Sequence, residues 1–125
     1  MGFEEKRKYT RIIANLAAEM TSGKTTHIQG VCKNLSARGL YFECDPQPAA
    51  NSRVELILHM GDSRYHPSIR VQGIVVRRDP KGVGLELTGI DFNDYELLKN
   101  IIVFSSEDPD AAEKEFKKFL DLYRL

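Results

Sequence analysis

The sequence predicts a mainly β fold: a six-stranded antiparallel β-barrel, closed or nearly so, followed by C-terminal α-helices. Three observations predict it. Apolar residues recur at about every second position in six segments between residues 11 and 87, the period of strands with one buried face. Clusters of Gly, Pro, Asp and Ser separate the segments, as turn chemistry requires. After Asp91 the apolar spacing changes to that of a helix. Many short strands followed by helices fit a small barrel better than a layered α/β fold. Strand order does not follow from this pattern.

The elements come in order. Ile12, Ala14, Leu16, Ala18 and Met20 form one face of a first strand, ended by Thr21-Ser22-Gly23-Lys24. A second strand carries Ile28, then Val31 and Leu35, and Gly30 marks the expected bulge where the alternation slips. Leu40-Tyr41-Phe42-Glu43-Cys44 is a third, aromatic-rich strand, stopped by Asp45-Pro46-Gln47-Pro48 because proline has no N–H for the ladder. Val54, Leu56, Leu58 and Met60 define a fourth. Ile69, Val71 and Val75 define a long fifth, bent at Gly73. Asp79-Pro80-Lys81-Gly82 has proline and glycine where a β-turn wants them. Val83, Leu85 and Leu87 make the sixth. Asn93 with Glu96 reads as a helix start, and Leu97, Leu98, Ile101 and Ile102 follow at helical spacing. Asp108-Pro109 opens a second helix with the apolar stripe Ala112, Phe116, Phe119, Leu120 and Tyr123, which packs on the barrel, on another protomer or on a partner. The 125 residues thus read as a single domain: an arm at 1–8, a barrel over 9–91 and a helical C-terminus over 93–124.

Composition narrows the function. Eighteen Lys and Arg balance eighteen Asp and Glu, which argues against a protein that coats long nucleic acid. No run approaches the roughly 18 apolar residues of a membrane span, and the charged start Met1-Gly2-Phe3-Glu4-Glu5-Lys6 resembles no secretory signal; the expected location is cytoplasmic. Met-Gly suggests myristoylation, but Lys6 stands where that motif takes Ser or Thr. Cys32 and Cys44 read as buried thiols. His27, His59 and His66 lack metal-ligand spacing and read as rim residues, so no metal and no cofactor is expected. Asp91 and Asp94 read as cap and turn acids.

Two features carry chemistry. Lys6, Arg7, Lys8 and Arg11 crowd cations where an arm meets the first strand. A guanidinium pairs bidentately with phosphate or with the O6/N7 edge of guanine, and its plane stacks on a base; a solvated basic tail is the competing reading. Asn34-Leu35-Ser36-Ala37-Arg38-Gly39 follows the second strand. It offers an amide and a hydroxyl two residues apart, then a glycine that permits a tight turn or the close approach of a ligand; an ordinary polar turn is the alternative. Arg77 and Arg78 either lend a second stacking face or are solvated strand-end residues.

Taken together and in this order, the two features resemble the PilZ domain family, which is marked by an R-x-x-x-R arm and a later [D/N]-x-S-x-x-G turn. Arg7 and Arg11 match the first motif, and Asn34, Ser36 and Gly39 the second. Gly82-Val83-Gly84-Leu85-Glu86-Leu87 is similar to the family's glycine-containing last strand. The resemblance implies a receptor for cyclic di-GMP. Arg7 and Arg11 would engage phosphate and guanine, Asn34 a guanine edge and Ser36 phosphate or base, while Gly39 would allow close approach. Lys6 stands where many members have a further arginine; it keeps the charge but loses the fork and the stacking plane. Asn34 in place of Asp contributes no charge.

The implied mechanism is an adaptor, monomeric or homodimeric, whose arm orders on the ligand and signals to an unknown partner protein in motility, secretion or exopolysaccharide control. Competing readings are a small barrel that binds single-stranded nucleic acid through Tyr9, Tyr41 and Phe42, and a degenerate module that binds only protein. No nucleophile is paired with a base, so no enzyme activity is expected.

Overall fold

The computed structural model describes residues 11–23, 26–60 and 68–123. Six strands, β1 (Arg11–Ser22), β2 (Thr26–Ser36), β3 (Gly39–Cys44), β4 (Arg53–His59), β5 (Ser68–Arg78) and β6 (Gly82–Ile90), precede two helices, α1 (Phe92–Ser105) and α2 (Pro109–Tyr123). The strands pair antiparallel throughout and close in the order β1-β2-β3-β6-β5-β4. Pairing of β4 with β1, centred on Met20 opposite Leu56, completes the ring. The predicted fold class holds.

The alternating apolar residues fill the barrel. Met20, Phe42, Leu56, Leu58, Ile69, Val71 and Val75 are all essentially inaccessible. Burial of such side chains contributes roughly 1.5–3 kcal/mol each. Cys32 and Cys44 are buried, unpaired thiols within this core, and desolvation pushes the Cys32 thiol up to about 12.

The register corrects one expectation. The slip in β2 falls at Lys33, not at Gly30. Between β2 and β3 the pairing steps from Cys32–Phe42 to Asn34–Tyr41, leaving Lys33 unmatched. The β1–β2 ladder slips at the same level, between Ile13 and Leu16, where Asn15 adopts φ 53°, a left-handed conformation that Asn tolerates better than most residues. The inward parity therefore changes from Ile28 and Cys32 to Leu35, and Val31 is only half-buried. Gly30 stays in the ladder, opposite Ala18 and Cys44. Its missing Cβ makes room for the Phe42 ring, whose Cζ would lie 2.8 Å from it.

α1 begins at Phe92, with Asp91 rather than Asn93 at the N-cap. Asp94 Oδ2 accepts the backbone N–H of Arg70 at 3.1 Å, which ties the helix start to β5. Tyr95, Leu98 and Ile102 are its buried residues. In α2, Asp108 Oδ1 accepts the Ala111 N–H at 3.1 Å, the expected cap. Ala112 and Phe116 are buried. Phe116 meets Tyr95 edge-on at 5.7 Å, and the Tyr95 hydroxyl donates to the Phe116 carbonyl at 3.0 Å. This part of the stripe packs within the molecule, where α2 lies against α1 and β6. The side chains of Phe119, Leu120 and Tyr123 lie outside the described set. Among the described residues, no helix is long and apolar enough to cross a membrane.

Candidate ligand-binding face

The barrel's pairing brings the two sequence features to one place. Arg11 lies opposite Ser36, Ile12 opposite Leu35, and Ile13 opposite Asn34. The first residue of β1, where the basic arm joins, is thus a direct neighbour of the Asn34–Gly39 segment. Lys6, Arg7 and Lys8 lie outside the described residues, and Arg11 is described only in its backbone.

The Asn34–Gly39 segment is built around one hydroxyl. Ser36 Oγ accepts the Gly39 N–H at 3.1 Å and the Arg38 N–H at 3.3 Å, and donates to the Gly39 carbonyl at 3.1 Å. Ser36 is only 5% exposed. Its hydroxyl bonds within the turn, which it shapes from within. Gly39 also has an internal reason: a Cβ there would lie 2.3 Å from the Leu85 carbonyl oxygen of β6. The Leu87 N–H donates to the Arg38 carbonyl at 2.7 Å, which closes the turn onto β6. The Arg38 guanidinium lies 3.7 Å from Glu86. Asn34 differs from both. It is half-exposed, it shares the outer face with the 84% exposed Ile13, and its side-chain amide makes no hydrogen bond to a described residue.

Following the register outward from Asn34 traces a band around the barrel. Asn34 pairs with Tyr41, Tyr41 with Gly84, and Gly84 with Arg77. At Gly84 a Cβ would lie 3.0 Å from Arg77 Nε and 3.3 Å from Arg77 Cγ, so the arginine side chain lies across the glycine. Arg77 is exposed and makes no ion pair among the described residues. Arg78, one residue on, turns elsewhere and donates from Nε to Gln47 Oε1 at 3.2 Å. Structure thus separates the two arginines that the sequence left equivalent. The band offers an amide, a phenol ring and a guanidinium in sequence, next to the strand that carries the arm. Phe42, a stacking candidate in the nucleic-acid reading, is fully buried and drops out; Tyr9 lies outside the described residues.

Tyr41 and Gly84 were legible only in part. Strand alternation through Leu40-Tyr41-Phe42 means that one of the two aromatics faces out, but the neighbour of that aromatic depends on β3 pairing with β6, which no local pattern shows.

A second polar cluster lies elsewhere on the barrel. Glu19 receives His59 Nε2 at 2.7 Å on Oε2 and His27 Nε2 at 3.1 Å on Oε1. The His59 hydrogen bond is the main cause that holds the Glu19 carboxyl below its ordinary value. Among the described residues no group of three His, Cys, Asp or Glu is placed to hold a metal ion.

Comparison with known proteins agrees with this architecture. The PilZ domain family matches residues 5–104. The Bacillus subtilis inhibitor of motility, MotI/DgrA, superposes with a TM-score of 0.63 at 20% identity, over 79% of this chain and 50% of that one. The chain thus spans half the length of the Bacillus protein. The PilZ domain of YcgR from Escherichia coli, solved with c-di-GMP, superposes with a TM-score of 0.60 at 14% identity, over 93% of this chain and 98% of that domain. At these identities both likenesses are of fold. No curated protein matches the sequence. The family match covers most of the chain and includes both motifs, and the chain belongs to the PilZ domain family.

Proposed function

We propose that this domain is a cyclic di-GMP receptor and adaptor without catalytic activity. The observation that carries the reading is the pairing of Arg11 with Ser36, which sets the junction of the R-x-x-x-R arm against the Asn34–Gly39 turn. Cyclic di-GMP presents two phosphates and two guanines. A site for it needs cations, stacking planes and a polar reader of the base edge. Arg7 and Arg11 supply the first, assisted by the charges of Lys6 and Lys8. Asn34 reads the guanine edge with an amide that makes no hydrogen bond to a described residue. Arg77, laid over Gly84, supplies a second cationic plane. Ser36 and Gly39 hold the turn in shape. The ligand-bound YcgR domain, which has this fold, supports the same choice of ligand.

Clamping the ligand orders the arm over the barrel, and the ordered arm is a new surface for a partner protein. The resemblance in fold to an inhibitor of motility favours motility among the outputs that the sequence suggested. Calorimetric titration with cyclic di-GMP tests the reading, with GMP and cyclic di-AMP as controls. Micromolar or tighter binding of cyclic di-GMP alone, lost in Arg7→Ala/Arg11→Ala, is the expected result. Absence of heat and of any thermal shift with folded protein would discard it. Amide exchange over residues 1–10, slowed by the ligand, checks the ordering of the arm.

A further inference from the structure

Tyr41 sits in the middle of the band, between Asn34 and the Arg77 side chain, and the family motifs do not account for how it is held. Its hydroxyl donates to Asp79 Oδ1 at 2.6 Å. That acceptor is fixed. The same oxygen receives the N–H groups of Lys81 at 2.8 Å and Gly82 at 3.0 Å, and the Asp79 N–H donates to the Gly82 carbonyl at 3.0 Å. The Asp79 carbonyl also takes Gln47 Nε2 at 2.7 Å. The phenol therefore runs from β3 to a rigid β5–β6 turn, past a strand whose facing residue is Gly84. Tyrosine loses two side-chain torsions on ordering. Here both are already restrained before any ligand arrives, because one end of the side chain is anchored to β3 and the other to the β5–β6 turn.

We propose that Tyr41 is a stacking platform for one base of the bound dinucleotide, held at the right angle by Asp79 acting as a positioning residue. This inference rests on the cyclic di-GMP reading above and assigns a residue within that site. Every base has a π face, so the ring contributes affinity, while Asn34 and the arginines contribute the discrimination between bases. Asp79 touches no ligand and acts only through the ring and the turn.

The experiment compares wild type, Tyr41→Leu, Tyr41→Phe and Asp79→Asn in calorimetric titration with cyclic di-GMP, each variant first shown to be folded by its thermal transition. The guanine H8 resonance of the bound ligand is followed by NMR. Stacking on a ring moves H8 upfield, which a purely structural role for Tyr41 would not do. Tyr41→Leu should weaken binding roughly 10-fold or more, as loss of a base–aromatic stack does, and reduce the upfield shift. Tyr41→Phe keeps the ring and loses the tether, so it should retain the shift and weaken binding only a few-fold. Asp79→Asn should behave as Tyr41→Phe does, and combining the two should add little. If wild type binds and Tyr41→Leu binds within twofold of it, with H8 unmoved, the platform is refuted and the receptor reading stands. If wild type itself does not bind, the receptor reading fails and the platform with it.

Discussion

Two polar clusters on the outside of the same barrel make opposite use of their charges. Around Glu19, the charge is answered within the cluster: one carboxylate oxygen takes His59, the other takes His27, and nearby Glu55 lies 3.7 Å from Arg70. Around Asn34, the Tyr41 phenol is tethered to Asp79 and the Arg77 side chain lies across Gly84, while the Asn34 amide makes no hydrogen bond to a described residue. The first is a solvated face whose internal pairs are each worth little. The second is the face proposed to bind the ligand, where Asp79 and Gly84 fix the side chains that would make contact. Charge alone does not tell the two apart; what lies behind the charge does.

Substitutions can break or sharpen this contrast. The largest expected effect is Gly39→Val. Its Cβ would meet the backbone of Leu85 at 2.3 Å, and backbone cannot step aside as a side chain can. We expect a loss of about 1–3 kcal/mol or more, read from chemical denaturation, together with loss of ligand binding. Ser36→Ala comes next: it deprives the Arg38 and Gly39 N–H groups of their acceptor, at a cost of about 1–3 kcal/mol. Should Ser36→Ala prove as stable as wild type, yet fail to bind, the hydroxyl would be a ligand contact after all. Arg77→Ala should leave the melting temperature within a degree or two and weaken cyclic di-GMP binding roughly 10-fold, about 1.4 kcal/mol; Arg78→Ala should do neither. Equal effects from the two arginines would erase the distinction drawn between them.

The smallest expected effect is in the paired cluster. Glu19→Gln should cost less than about 1 kcal/mol and leave ligand binding unchanged. Its sign with pH is fixed. The folded carboxyl is held below its ordinary value of 4.5, so its contribution is present above that value and is lost as pH falls through the lower, folded one. The gap between the melting curves of wild type and Glu19→Gln should therefore close in acid. Tyr41 behaves in the opposite sense. Desolvation, with Asp79 second, raises its phenol to about 12 from 10, so the contribution of the protonated hydroxyl is intact below pH 10 and is lost between 10 and about 12.

The strands were legible because alternation is local: each residue of Val54, Leu56 and Leu58 reports its own face. The motifs were legible because each lies in one short stretch of chain. Three things were not. The slip at Lys33 is a mismatch between strands, so β2 alone cannot show where it falls, and Gly30 attracted the assignment because glycine so often marks a bulge. The burial of Ser36 depends on the turn folding back against β6. The Asn34–Tyr41–Gly84–Arg77 band needs three ladders at once, including β3 with β6, two strands separated in sequence by two others. Asn93 lost the helix cap to Asp91 because Asp94 is tied to β5, a tertiary contact that outweighs a favourable local pattern.

Closure of β4 onto β1 leaves this sheet without an edge strand. Every strand already has a neighbour on both sides, so a visiting polypeptide finds no whole edge strand to extend; the first part of β1, before Ala18, is the stretch that β4 does not cover. A protein that reads this ring has mostly side chains to read. Recognition of that kind is rewritten one surface residue at a time, with the barrel left intact, and it gives the same ring of six strands freedom to serve different listeners.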